Sequence, residues 1–205
     1  MSRRSFRDQL REHPFLLAFA AVYLAGWTIY GLAIGAHGTV AYLVSVTVVI
    51  GLVRLDQRVG FSPWILWALA AWGFAHMAGG LIPFGEGVLY NASLGDTVVH
   101  YDRVVHAFGF GVATIACWEA LVAINPTVTL TPGTAVLVAL MGMGVGAANE
   151  VVEFAASHLF ASNVGGYENT GWDLVANLLG CTVASTLLYL NRVRAGVSST
   201  AASPL

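Results

Sequence analysis

The 205-residue chain contains no lysine, and only 10% of it is charged, against about a quarter in an ordinary soluble domain. With nine arginines and a net charge of -2, it offers no cationic surface to a phosphate backbone, which excludes nucleic acid as a partner. Its two cysteines, Cys117 and Cys181, fall at different depths of separate apolar runs and make no disulfide framework, so both read as small packing residues. The Walker and Rossmann glycine patterns, the Cys-x-x-Cys pair and the His-Glu-x-x-His zinc helix are all missing. That removes the commonest nucleotide, redox and metalloprotease signatures.

What remains is apolar. Hydrophobic residues make up 57% of the chain and the mean hydropathy is +0.73. A bilayer core about 30 Å thick needs about 20 apolar residues per helix. Such runs occur over 14–35, 38–54, 62–82, 102–124, 133–157 and 173–190. Backbone groups in lipid must be satisfied within their own segment, so the runs are expected to be helices. The predicted fold is an all-α polytopic membrane bundle of about six transmembrane helices. It forms a single domain over 14–192, with a cytoplasmic segment over 1–13 and a disordered cytoplasmic tail over 193–205.

The arginines set the orientation. Arg3, Arg4, Arg7 and Arg11 precede the first run, Arg54 and Arg58 lie between the second and third, and Arg192 and Arg194 follow the sixth. All eight fall on one side of a six-helix path, and the positive-inside rule makes that side cytoplasmic. N- and C-termini are therefore expected inside, in a cytoplasmic (inner) membrane. Arg3-Arg4 resembles an export signal, but the run that follows has span length and the arginines serve as an anchor. Asn91-Ala92-Ser93 is read as a chance sequon, and His37 and His158 as solvated or interfacial.

Ionisable side chains inside spans are the candidates for function. His76 sits among Ala75, Ala78, Gly79 and Gly80, where small residues let helices approach closely. Asp102 and His106 are four apart, hence on one helical face. There the carboxylate can orient the imidazole, or else cap the helix. Glu150 and Glu153 lie one turn apart, too close for both to ionise comfortably without a proton, a cation or a basic partner. Thr170-x-x-Asp173 has capping-box spacing, whereas Asn177, one turn farther on, has no capping role. Glu119, about 25 Å along the helix from Asp102 at 1.5 Å per residue, is expected at the opposite interface.

Alternating helix directions bring His76, Asp102, His106, Glu150, Glu153 and Asp173 to within about 10 Å of one interface, the extracytoplasmic one. A shared polar site is therefore expected there, with Tyr101, Asn149 and Asn177 as substrate-binding candidates.

Tyr101-Asp102-x-x-x-His106, Asn149-Glu150-x-x-Glu153-Phe154 and Asn169-Thr170-x-Trp172-Asp173-Leu174-x-x-Asn177-x-x-Gly180 resemble the YjdF-like membrane proteins of unknown function, and more distantly the VanZ-like proteins. The resemblance covers about residues 76–180. It implies a helical bundle in a bacterial or archaeal cytoplasmic membrane, and on the VanZ-like side a cell-envelope role.

Two functional classes follow. The His and carboxylate set suits Zn, Mn or Fe, with His106, Glu150 and Glu153 as metal ligands, Asp102 orienting His106, and Asp173 or His76 handling protons. Such an ion would support hydrolysis or transfer on a lipid or envelope substrate at the outer leaflet. The alternative is a cation- or proton-binding transporter or ligand-binding module without catalysis. A third possibility, a purely structural network, predicts that neutral substitutions harm folding first. Membrane lipids are the partners expected in every case, and the oligomeric state is left open.

Overall fold

The structure is a computed structural model that describes residues 4–35, 39–93, 95, 99–159 and 166–201, without the side chains of 39–44, 159 and 196–201. His37, Asp96 and most of the polar loop before α7 lie outside the described residues.

A short helix, α1 (Phe6–Glu12), opens the chain from a capping box in which Ser5 and Asp8 exchange hydrogen bonds. Six long helices follow: α2 (Pro14–Ala33), α3 (Thr39–Val59), α4 (Pro63–Leu81), α5 (Tyr101–Ile124), α6 (Pro132–Leu159) and α7 (Tyr167–Ala201). Three of them begin on proline, whose missing N–H costs nothing in a first turn. The protein is an all-α polytopic membrane bundle. Among the described residues, five helices are long and apolar enough to cross a membrane: Pro14–Ala33, Pro63–Leu81, Tyr101–Ile124, Pro132–His158 and Tyr167–Ala195. The remaining long helix, α3, occupies the second expected span but runs on to Val59 and carries Arg54, Asp56 and Arg58 in its last turns.

The largest departure from the sequence expectation is α7. It begins at Tyr167 rather than at 173, because Tyr167-Glu168-Asn169-Thr170 forms an extra turn whose Glu168 is favourably placed at the positive helix end. Asp173 therefore lies inside the helix, and the capping box with Thr170 does not form. At the other end the helix continues to Ala201, over residues where the sequence predicts a tail.

The connection between α4 and α5 is folded. Strands β1 (Pro83–Phe84) and β2 (Gly87–Val88) make a minimal antiparallel hairpin, with Gly85 at φ 57° in its turn. A single 3-10 turn over Leu89–Asn91 follows, and Ser93 bridges to His100.

Helix α5 is the centre of the bundle and packs on α4, α6 and α7. The closest approaches are made by glycine. A Cβ on Gly180 would strike the Ala107 carbonyl, one on Gly142 would strike Thr114, and one on Gly109 would strike the Trp72 indole. An apolar cluster of Phe61, Ile65, Leu69, Val112 and Ala116 ties α4 to the far half of α5. At that end Glu119 accepts hydrogen bonds from the backbone N–H (2.9 Å) and hydroxyl of Ser62. Buried Asp56 similarly accepts from Phe61 N–H (2.9 Å) and from the Gln9 amide (2.7 Å), which docks α1 onto α3.

Candidate functional site

The polar residues of α5, α6 and α7 meet at the opposite end, and His106 is their centre. It lies on α5 one turn beyond Asp102, 2% exposed. Its Nε2 is 3.5 Å from Asp102 Oδ1, and its Nδ1 is 3.4 Å from Glu150 Oε1 on α6 and 3.2 Å from Asn177 Oδ1 on α7. Three helices thus converge on one imidazole. The small residues of the motifs make this possible: Gly146 faces the Asn177 carboxamide at a distance that leaves no room for a Cβ.

Two overlapping sets of His and acidic groups have potential ligand atoms within 4.8 Å of one another: Asp102, His106 and Asp173, and His106, Glu150 and Glu153. Three of the four carboxylates are held by neighbouring amides. Asn169 donates through Nδ2 to Asp173 Oδ2 and, at 3.4 Å, to Asp102 Oδ2. Asn149 donates to Glu153 Oε1 at 2.7 Å. Three buried atoms of this group make no hydrogen bond: Glu150 Oε1, Asp173 Oδ1 and Asn177 Nδ2. Asp173 is 1% exposed and Asn177 is fully buried, so these atoms have desolvation to offset and no compensating partner. The chain has no lysine to neutralise four carboxyl groups, and the nearby Arg103 stacks over the Trp172 ring at 4.6 Å.

Asp102, His106, Glu150, Glu153, Asp173 and Asn177 are brought together as the spacing predicts. Asp102 stands in the first turn of α5 while His100 occupies the N-cap position, so its side chain serves the cluster and not the helix end. His76 is engaged elsewhere. Its Nδ1 is 2.6 Å from the Tyr90 hydroxyl, which also donates to the His76 carbonyl at 2.7 Å. The Tyr101 hydroxyl donates to the Ala75 carbonyl at 3.0 Å, which latches α5 to α4. Asn149 reaches the site through its hydrogen bond to Glu153.

Sequence reasoning missed two residues. Asn169 carried a usable signal, since it precedes Asp173 by one turn, but only if the helix is started early enough. Tyr90 carried none, because a tyrosine in an irregular loop says nothing about the helix it will meet.

Residues 15–194 match the family described as predicted membrane protein (DUF2238). The chain belongs to that family, which supports a membrane protein of unknown function and a multi-pass membrane location. No curated protein and no solved structure matches it. The VanZ-like resemblance has no support in these comparisons.

Proposed function

We propose that this multi-pass protein lies in a cytoplasmic membrane with both termini inside, and that its α5–α6–α7 centre binds a divalent metal near the extracytoplasmic face. The observation that carries the reading is the ring of four carboxyl groups around one buried imidazole, with Asp173 Oδ1 buried and making no hydrogen bond. Uncompensated buried anions are strongly unfavourable in a bilayer, and a divalent cation offsets them directly. The spacing also suits an ion. Bonds of about 2.0–2.1 Å in a tetrahedral site put neighbouring ligand atoms about 3.3–3.4 Å apart, close to the 3.5 Å between His106 Nε2 and Asp102 Oδ1.

The ring orientation favours one of the two ligand sets. A carboxamide oxygen only accepts, so with Asn177 Oδ1 at 3.2 Å the Nδ1 of His106 carries the proton. Its lone pair is then on Nε2, facing Asp102. The set Asp102, His106 and Asp173 is therefore preferred over His106, Glu150 and Glu153, and Glu150 with Asn177 orients the ring from behind. An oxygen-rich set with one imidazole suits Zn, Mn or Fe. Such an ion would supply Lewis acidity for hydrolysis or transfer on a lipid or envelope substrate. Glu153, half-buried at the rim, is then the carboxylate available to a substrate proton.

A cation or proton site without catalysis is favoured by one specific observation. The centre is closed, with His106 at 2%, Asp173 at 1% and Glu150 at 6% exposure, which holds an ion more readily than a bulky substrate.

The test is metal content of the detergent-purified protein. Wild type is expected to retain one Zn, Mn or Fe per chain, and His106→Ala and Asp173→Asn to lose it with helix content intact. Wild type that stays metal-free after reconstitution would overturn the metal reading and leave the proton relay.

A further inference from the structure

A half-open groove of about 80 Å³ lies between α2, α3 and α4 at the end of the bundle remote from His106. Its walls include Leu16, Ala20, Val49, Leu52, Leu69 and Ala70. Its narrow, apolar lining suits a hydrocarbon chain lying between the helices of a bundle. Along α2 the lining runs from His13 to Tyr23, about 15 Å at 1.5 Å per residue. That is about half of a 30 Å hydrocarbon core, the depth reached by one acyl chain from one leaflet.

Most of the polar lining is at the α1 end, where Gln9, His13 and Asp56 stand. Gln9 and Asp56 satisfy each other at 2.7 Å. His13 Nε2 is buried with no hydrogen-bond partner, and the acidic oxygen recorded beside it, Glu12 Oε2, is 3.9 Å away. Helix α1 turns Gln9 inward and leaves Phe6 and Leu10 51% and 45% exposed, as in a helix lying in the membrane interface. Three arginines stand on or just before this helix: Arg4, paired with Glu12 at 3.0 Å, and the exposed Arg7 and Arg11.

We propose that the cavity holds one acyl chain of an anionic phospholipid, its head group resting on α1 with a phosphate or ester oxygen at His13. The apolar walls take the chain, and the arginines select an anionic head by the attraction that draws basic segments to acidic lipid. This site is independent of the metal reading, since it shares no residue with the His106 centre.

Delipidated full-length protein is incubated with dioleoyl phosphatidylglycerol or dioleoyl phosphatidylcholine, and bound lipid is counted by native mass spectrometry. One phosphatidylglycerol per chain is expected, held at least tenfold more tightly than phosphatidylcholine. The affinity should fall at least tenfold in Ala20→Phe and in Ala70→Leu, which fill the cavity. A phosphatidylglycerol with a mid-chain diazirine, applied to the wild type, should label the lining residues Leu16, Ala20, Tyr23, Leu66 and Leu69 and needs no variant to fold. Equal affinity for the two head groups would overturn the anionic choice. Labelling concentrated on outward residues such as Phe15, Val22 and Leu137, which are 60–82% exposed, would overturn the cavity.

Discussion

The Tyr90 hydroxyl and the His76 imidazole share one proton-donor relationship in two directions. A phenol has a single proton; donating it to the His76 carbonyl at 2.7 Å leaves the oxygen an acceptor for Nδ1–H at 2.6 Å. This fixes the His76 tautomer with its lone pair on Nε2 and seats the hairpin connection on α4. Below it, Gly79 leaves room for the tyrosine ring, which a Cβ there would strike.

Tyr90→Phe keeps the ring and removes both bonds. A loss of about 1–3 kcal/mol is expected from leaving the buried partners unsatisfied, measured as a shift of the denaturation midpoint in detergent. No shift would mean that the connection is held by the ring alone.

The His106 centre predicts a linkage between metal and stability. Dialysis against a chelator should lower the melting temperature of wild type, because an ion bound only to the folded state contributes about 2.7 kcal/mol at a hundredfold excess over its Kd. In Asp173→Asn the chelator should have no effect. Equal sensitivity in both proteins would remove Asp173 from the ligand set.

Much of this site was legible in the sequence because helices obey a fixed period. Asp102 with His106, Glu150 with Glu153, and Asp173 with Asn177 are each a helical turn apart, and the arginine distribution together with the alternation of spans sets the direction of each. Their meeting at one depth then follows from 1.5 Å of rise per residue. The ambiguities arose at helix ends. Where α7 starts depends on a loop rather than on periodicity, so Asp173 carried a capping reading beside its place in the site, and Asn169 entered only as part of a motif. His76 has the right depth but is taken by Tyr90, and depth gives no rotational information about a partner arriving from a loop. Gln9 and Asp56 were missed for the same reason, since their pairing depends on how α1 folds back on α3.

Close packing predicts a contrast between two glycines. Gly180→Ala drives a methyl into the Ala107 carbonyl, whereas Gly144 has nothing within 4 Å of a Cβ. The first should cost about 1–3 kcal/mol by overpacking and loosen α7 from α5. The second should be neutral or stabilising by up to about 1 kcal/mol through helix propensity. Comparable losses in both, by the same denaturation assay, would contradict the packing described.

At the opposite end of α5, Glu119 accepts from Ser62 N–H at 2.9 Å and from its hydroxyl, so the carboxylate of one helix caps the start of another. Glu119→Gln retains an acceptor and Glu119→Ala removes it. A loss of about 1–3 kcal/mol is expected for alanine, in the range of a charge-assisted bond, and a smaller one for glutamine. Neither should alter metal content, because the site lies at the other end of α5.

The pH response of the N-terminal helix follows from its cap. Asp8 is held below its ordinary pKa of 3.8, chiefly by the Ser5 side-chain hydrogen bond and then by the Ser5 backbone N–H, with Oδ2 accepting from the two at 2.7 and 2.8 Å. Because the folded value is the lower one, the ionised carboxylate stabilises the docked helix above the ordinary value. That contribution is lost as pH falls through the depressed value. Wild type should therefore retain the α1 amide signals at a lower pH than Ser5→Ala, in which the donor of the larger effect is gone. Coincident pH profiles for the two proteins, followed by NMR in detergent, would show that the Gln9–Asp56 contact alone holds α1 against α3.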